Sequence, residues 1–390
     1  MDVRLLWLAL GAFAGSVESS LIVSVLPAIS EETGVTVAQA GYLIFGYSIA
    51  YGIGTPVLST IFGHVDRRTV VAGAELLFGL MALLLGLLPG FLMLVLARTL
   101  LAFGAGLFTS TAQSTAVALA APGKRGSAIS TVVMGGSIAV AVGAPLAALA
   151  AEFFGWRVAY LGLGVLAILA SATMWLKLPG DIRGDPRSIR ERLSVLKVPG
   201  VPMTLLTSGI VVLATFIFFN YLASVTTDFL GIDRVLLPLV MFAFGIGAMV
   251  GNHFGGYLSD RIGGKRTVLV IIGLLIVLLA SLPMLAMLPR PAILPAFFIY
   301  MVLYGVTAWG FFPPQLHRLA ALAPGSVPLS ASLNLTSMNI GGALSALVGG
   351  LVLENLGIGY LGWFGAAAAV VALVVAYLAP DGCETAPEAA

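Results

Sequence analysis

Hydrophobic and polar positions along this chain do not alternate. They fall into long apolar runs separated by short polar breaks. A membrane-spanning helix needs about 20 consecutive, mostly apolar residues. Twelve such runs are present: about 5–29, 38–62, 70–88, 91–120, 127–153, 157–178, 203–229, 235–258, 267–288, 292–316, 327–355 and 359–379. The breaks are charged or turn-forming, among them Glu31-Glu32, Asp66-Arg67-Arg68, Pro89-Gly90, Lys124-Arg125, Asp233-Arg234 and Pro289-Arg290-Pro291. Continuous runs argue against membrane β-strands, which alternate apolar and polar residues. The first run is too long for the apolar core of a cleaved leader and carries Glu18 in its middle, so it is read as a retained span.

Composition sharpens this. The 390 residues are 59% hydrophobic and 9% charged, whereas soluble domains carry about a quarter charged residues. An ordinary soluble enzyme is excluded, and so is disorder, which needs low hydrophobicity and high charge. A net charge of +2 gives no nucleic-acid footprint. The one cysteine, Cys383, lies in a polar tail, so neither a disulfide framework nor a thiolate metal site is expected. His64, His253 and His317 are far apart and lack metal-ligand spacing. No cofactor and no metal are implied.

Orientation follows from lysine and arginine in the short loops. With the N-terminus inside, Arg4, Arg67, Arg68, Lys124, Arg125, Lys177, Arg183, Arg187, Arg190, Arg192, Lys197, Arg261, Lys265, Arg266 and Arg318 fall on the cytoplasmic side. Arg157, Arg234 and Arg290 fall outside, and Arg98 lies within a span. Fifteen against three places both termini in the cytoplasm. The expectation is a multi-pass protein of the cell (inner) membrane. The chain divides into a six-helix bundle over 1–178, a cytoplasmic linker over 179–201, and a second six-helix bundle over 202–390 that ends in a short polar tail.

Two equal halves suggest a duplication. Arg67-Arg68-Thr69-Val70 after the second run matches Lys265-Arg266-Thr267-Val268 after the eighth. Glu152-Phe153-Phe154-Gly155 after the fifth matches Glu354-Asn355-Leu356-Gly357 after the eleventh, at nearly the same offset. Six spans is an even number, so the halves share one orientation and would pack as parallel repeats around a cleft.

The segment Gly256 to Arg266, with Asp260, Arg261, Gly263 and Lys265, resembles the loop signature of the major facilitator superfamily. The first-half copy is degenerate: Phe62 stands where Asp260 stands, and only the basic end, Arg67 and Arg68, survives. Arg98 with Gly104 and Gly106 is similar to the superfamily's arginine motif in span four. Gly135, Gly136, Gly143 and Pro145 are similar to its glycine-rich antiporter motif, with Ala144 interrupting the Gly-Pro step. Gly15 to Pro27, with Glu18, resembles span one of the bacterial 12-span drug:proton antiporters, a branch that includes sugar and purine exporters. The resemblance covers the whole chain. It implies an all-α fold of twelve transmembrane helices in two pseudo-symmetric bundles, alternating access, and proton-coupled export driven by the proton gradient.

Candidate residues follow. A mid-span carboxylate is expensive and should face a cavity or a partner, so Glu18 is either a proton carrier or a hydrogen-bonded structural acid. Counting 1.5 Å per residue across a core of about 30 Å places Glu18 and Arg98 both about 10 Å from the outer face. Equal depth permits an ion pair; the alternative is that Arg98 bonds helix carbonyls. Glu75, about one turn into span three, is expected near the interface, bonded to Arg67 or Arg68. Gly256, Asp260, Arg261, Gly263, Lys265 and Arg266, with Arg67 and Arg68, form the expected gating loops. In these, Asp260 latches onto the positive end of a helix, such as that near Ser127 and Ser130. Gly135, Gly136, Gly143 and Pro145 are expected at a pliable interface between the halves. Gln113, Asn220, Tyr221, Asn252, His253, Tyr304, Asn334 and Asn339 are the candidate solute contacts. Phe216, at the repeat position of Glu18, leaves the second half without a matching acid.

The function this predicts is export of a small organic solute such as a drug, sugar or nucleoside. Proton-coupled or passive uptake by the same architecture is the alternative. The expected partners are the solute, protons and the lipid bilayer, and a monomer is expected. A receptor would want a signalling module, and an enzyme would want clustered nucleophiles, acids or histidines; neither is in the sequence.

Overall fold

The computed structural model describes residues 3–120, 125–180, 182 and 193–380. The expected basic positions Lys124, Arg183, Arg187, Arg190 and Arg192, and Cys383 in the tail, lie outside the described residues. Helix dominates the described residues, and twelve helices are long and apolar enough to cross a membrane. These are α1 (Arg4–Thr33), α2 (Val37–Ile61), α3 (Arg67–Leu87), α4 (Phe91–Leu119), α5 (Ser127–Phe154), α6 (Trp156–Lys177), α7 (Val201–Phe219), α8 (Arg234–Ile262), α9 (Gly264–Leu285), α10 (Arg290–Leu322), α11 (Leu329–Asn355) and α12 (Ile358–Leu378). Helices are what lipid demands, because each bonds its own backbone groups internally.

The breaks are built from local chemistry. Gly34 closes α1 in the left-handed conformation, its N–H donating to the Ser30 carbonyl. Thr36 and Gln39 form a capping box at the start of α2. Asp66 caps α3 by accepting from the Thr69 N–H, and also accepts from the Ile182 N–H. Gly155 and Gly357, the repeat-related glycines after α5 and α11, both have positive φ, 87° and 98°. The matched tetrapeptides therefore do the same conformational job, one that strongly favours glycine.

The chain divides into two compact units, Met1–Arg187 with Leu237–Phe242, and Ser188–Leu236 with Ala243–Ala390. In the first, α1 packs on α5 and α6, α3 on α4 and α6, and α2 on α4. In the second, α7 packs on α11 and α12, and α9 on α10 and α12. There α8 meets α10 so closely that a Cβ on Gly247, Gly251 or Gly255 would overlap the α10 backbone. Adding six to each helix number of the first set gives the second. Outward stripes such as Val270, Leu274 and Val277 are exposed, as a lipid-facing surface requires.

Two helices depart from the expected spans. The run expected over 203–229 is interrupted after Phe219 and resumes as helix at Leu222. A turn lies at Asn220–Tyr221, and a π-helical segment covers Val225–Phe229. The tenth span breaks at Phe311, before Pro313 and Pro314, and resumes to Leu322, as proline requires.

Candidate functional site

The deepest charges in the first unit meet. Arg98, on α4, donates through Nε to Glu18 Oε1 at 2.9 Å and through Nη2 to Oε2 at 3.4 Å. Its Nη1 donates to the Leu43 carbonyl at 2.6 Å, and its guanidinium lies 4.6 Å from the Tyr47 ring centroid, both on α2. Tyr160, on α6, donates its hydroxyl to Glu18 Oε1 at 3.3 Å. Glu18 is fully buried, and Arg98 and Tyr160 are 1% exposed. Four helices thus converge on one carboxylate and one guanidinium. Both sequence-based options for Arg98, a carboxylate partner and a helix carbonyl, are realised together.

Such a pair is held by competing costs. Burying each ion is expensive, and only the partner and further hydrogen bonds offset it. Protonating Glu18 would remove its charge and leave Arg98 with the Leu43 carbonyl and the Tyr47 ring. Hence the geometry can register one proton as a change in how α1, α4 and α6 are tied. Tyr160 was missed by sequence reasoning. Its one sequence signal is a phenol in an otherwise apolar run, which does not say which way it points.

A second, shallower tie joins the same helices. Glu32 at the end of α1 accepts from Trp156 Nε1 at 2.7 Å and from Arg157 Nε at 2.8 Å. Arg157 also reaches the Leu88 carbonyl at 3.0 Å.

Glu75 departs from expectation. It is 1% exposed, and its Oε1 makes no hydrogen bond. Arg67 turns instead to the Ser114 carbonyl, and Arg68 stacks over Trp175 at 4.9 Å. Helix counting estimated how far Glu75 lies along α3. It did not see that the side chain points inward rather than along the helix toward the arginines.

The glycine-rich stretch allows close packing. Gly135, Gly136 and Gly143 meet α1 within the first unit. A Cβ on Gly135 would overlap the Ala9 carbonyl, one on Gly136 would come within 3.0 Å of Ser16 Oγ, and one on Gly143 would press on Phe13 and Val17. Ala139–Gly143 is π-helical and runs into buried Pro145, a device that bends a helix. Gly341 and Gly349 do the same for α11 on α7.

Most of the solute candidates are already bonded within their own unit. Asn220 donates to Ser345 Oγ at 2.9 Å, Tyr221 to the Ala346 carbonyl at 2.7 Å, and Tyr304 to the Thr215 carbonyl. All three are buried helix-to-helix ties of the second unit. Asn339 bonds the Leu335 carbonyl of its own helix at 2.8 Å, and Asn334 contacts Met338 Sδ at 3.4 Å. Gln113, Asn252 and His253 are exposed. Polar groups in apolar helices are costly unless bonded, so most of them serve packing.

The signature loop keeps its shape. Gly263 has φ 87° between α8 and α9, and Arg261 lies over the Tyr257 ring at 4.6 Å. Asp260 is exposed and makes no hydrogen bond or ion pair among the described residues. A cavity of about 300 Å³ opens beside the loop, lined in part by Gly263, Lys265, Arg266, His317 and Arg318.

Twelve apolar helices in two units with matching internal packing define a multi-pass α-helical membrane transporter, and the comparisons with known proteins agree. The Major Facilitator Superfamily model matches residues 8–327 and 230–388. The MFS-type transporter YbcL of Bacillus subtilis is 30% identical over 95% of this chain and 94% of its own length. The inner membrane transport protein YdhP of Escherichia coli K12 is 30% identical, over 97% and 96%. A chloramphenicol resistance protein of Streptomyces lividans is 28% identical, over 97% and 96%. A bacterial homologue of the lysosomal transporter Spinster, solved in an inward-facing, unoccupied conformation, superposes with a TM-score of 0.74 at 18% identity, covering 97% of this chain and 95% of that one. The chain belongs to the Major Facilitator Superfamily. It is a membrane transporter and not an enzyme.

Proposed function

We propose that this transporter exports a small organic solute in exchange for protons by alternating access, with both termini in the cytoplasm. The observation that carries this reading is the buried Glu18–Arg98 pair with Tyr160 on the same carboxylate. An ionisable pair inside a membrane bundle is, by default, functional. In this reading Glu18 takes and releases the proton. Arg98 is the fixed positive charge that makes Glu18's two states differ in energy, and so biases the conformational equilibrium. The Asp260 loop acts as a latch made in one conformation and broken in the other. The relative named for chloramphenicol resistance supports the outward direction and an amphipathic solute of that kind.

The test is reconstitution in liposomes with an imposed pH gradient and a solute panel that begins with chloramphenicol. Solute movement opposite to protons, abolished by Glu18→Gln, is the expected result. Movement indifferent to the gradient, or to that substitution, would overturn proton coupling.

A further inference from the structure

Among the described residues Glu18 and Glu75 are the buried carboxylates, and the ion-pair reading leaves Glu75 without a role. It projects from α3 toward α1: a Cβ on Gly11 would lie 3.1 Å from Glu75 Oε2 and would overlap the Phe108 ring of α4. Gly11 and Glu18 are seven residues apart, which is two helical turns on one face and about 10 Å along the axis. Both carboxyls therefore meet the same stripe of α1, and Glu75 lies nearer the Arg4 end. Between them on that stripe are Ala14, fully buried, and Gly15, where a Cβ would meet nothing within 4 Å. Gly15 is partly exposed, so the stripe is open between the two acids.

The two carboxyls differ in one respect. Glu18 holds Arg98 and Tyr160. Glu75 Oε1 has no hydrogen bond, and no ion pair reaches Glu75 among the described residues. The charged and titratable groups on the helices around it are Arg4, Glu18, Glu31 and Glu32 on α1, Arg98 on α4, and Arg157, Tyr160 and Lys177 on α6, with Arg67 and Arg68 on its own helix. An ionised carboxylate placed so, without donor or counter-charge, is disfavoured. A neutral acid is not. In this structure Glu18 is paired and Glu75 Oε1 is not.

We propose that Glu75 is a second proton-holding group of the transport cycle, exchanging the proton of Glu18 with the Arg4 and Arg67 end of the bundle. The proposal rests on the proton-coupled reading above. The step is a proton transfer and nothing else. Glu75 gives up its O–H proton to water beside Gly15 as the Glu18 carboxylate gains one, and the Arg98 bonds to Glu18 weaken as that charge is lost. The reverse order reloads Glu75. About ten ångströms along the helix is too far for one hydrogen bond, so the open side of Gly15 is part of the route.

The experiment is infrared difference spectroscopy of the full chain in lipid nanodiscs at neutral pH, followed by the liposome assay above. Glu75→Gln keeps the shape of the neutral acid, and Glu75→Asp is a second variant that keeps the carboxyl. We expect a protonated-carboxyl band in the native protein that Glu75→Gln removes, that Glu75→Asp shifts, and that Glu18→Gln leaves in place. The band moves on transfer to heavy water if the route is open. In liposomes, Glu75→Gln slows gradient-driven movement by about two orders of magnitude, with solute exchange at equal pH retained. A band that Glu75→Gln does not change, or one that stays fixed in heavy water, overturns the proposal. So does gradient-driven movement that Glu18→Gln abolishes and Glu75→Gln leaves intact; that result would spare the Glu18 reading. If neither variant alters it, both readings fall.

Discussion

Breaking the Glu18–Arg98 pair from one side should cost more than removing it. In Glu18→Gln, Arg98 keeps its charge but loses the carboxylate that accepts from Nε at 2.9 Å and from Nη2 at 3.4 Å. The Leu43 carbonyl and the Tyr47 ring remain as partial compensation. A buried charge stripped of its partner costs about 3–5 kcal/mol, and contacts that already share the guanidinium's burial keep the loss toward the lower figure. We therefore expect about 3 kcal/mol for Glu18→Gln, at the low end of that range. Arg98→Gln should cost less, below about 3 kcal/mol, because Glu18, left with the 3.3 Å Tyr160 hydroxyl, can take a proton and become neutral, whereas a guanidinium cannot shed its charge. The double variant carries no stranded charge and should be no less stable than either single one. The assay is equilibrium unfolding in mixed micelles, run for all four proteins in one lipid and detergent mixture. A double-variant cost equal to the sum of the singles, within about 0.5 kcal/mol, would mean that the two groups do not interact and would refute the reasoning.

Three further outcomes follow from the packing. Gly135→Ala forces a methyl into the Ala9 carbonyl and should destabilise by about 1–3 kcal/mol, while Gly73→Ala, with nothing within 4 Å, should be neutral or stabilising by up to about 1 kcal/mol; thermal melts of both variants check this. Tyr221→Phe loses the 2.7 Å bond to Ala346 and should cost about 0.6 kcal/mol, the average for such bonds between membrane helices, with no change in solute affinity measured by binding. The sole cysteine, Cys383, should react with a membrane-impermeant maleimide in inside-out vesicles and not in intact cells; the opposite pattern would reverse the orientation drawn from the loop charges.

What the sequence disclosed and what it withheld divide along a physical line. Depth is one-dimensional: a rise of about 1.5 Å per residue carries it, so counting along the two helices is enough to set Glu18 and Arg98 at one level. Azimuth is not. Which way Tyr160 points, and that Glu75 turns toward Gly11 instead of Arg67, depends on neighbours up to 142 residues away in sequence. The helix limits follow apolar runs and caps, and they agree with the observed spans to within a few residues at most ends. The break at Asn220–Tyr221 does not, because those side chains are bonded to Ser345 and Ala346 on α11. The same cause removed Asn220, Tyr221 and Tyr304 from the solute candidates: a polar side chain in an apolar run signals that it needs a partner, without saying whether the partner is a helix or a ligand.

The Leu43 carbonyl has a consequence for the driving force. It holds Arg98 through a hydrogen bond that does not depend on Glu18, so the arginine stays in place whatever the state of the acid. With Glu18 ionised the cluster is electrically neutral. With Glu18 protonated it carries one unbalanced positive charge. If the proposed cycle alternates between those two loadings, it moves charge through the bilayer, and each elementary charge crossing the whole potential is worth about 2.3 kcal/mol per 100 mV. On the proton-coupled reading proposed above, membrane voltage as well as the pH difference would set the pace and the limit of the solute gradient.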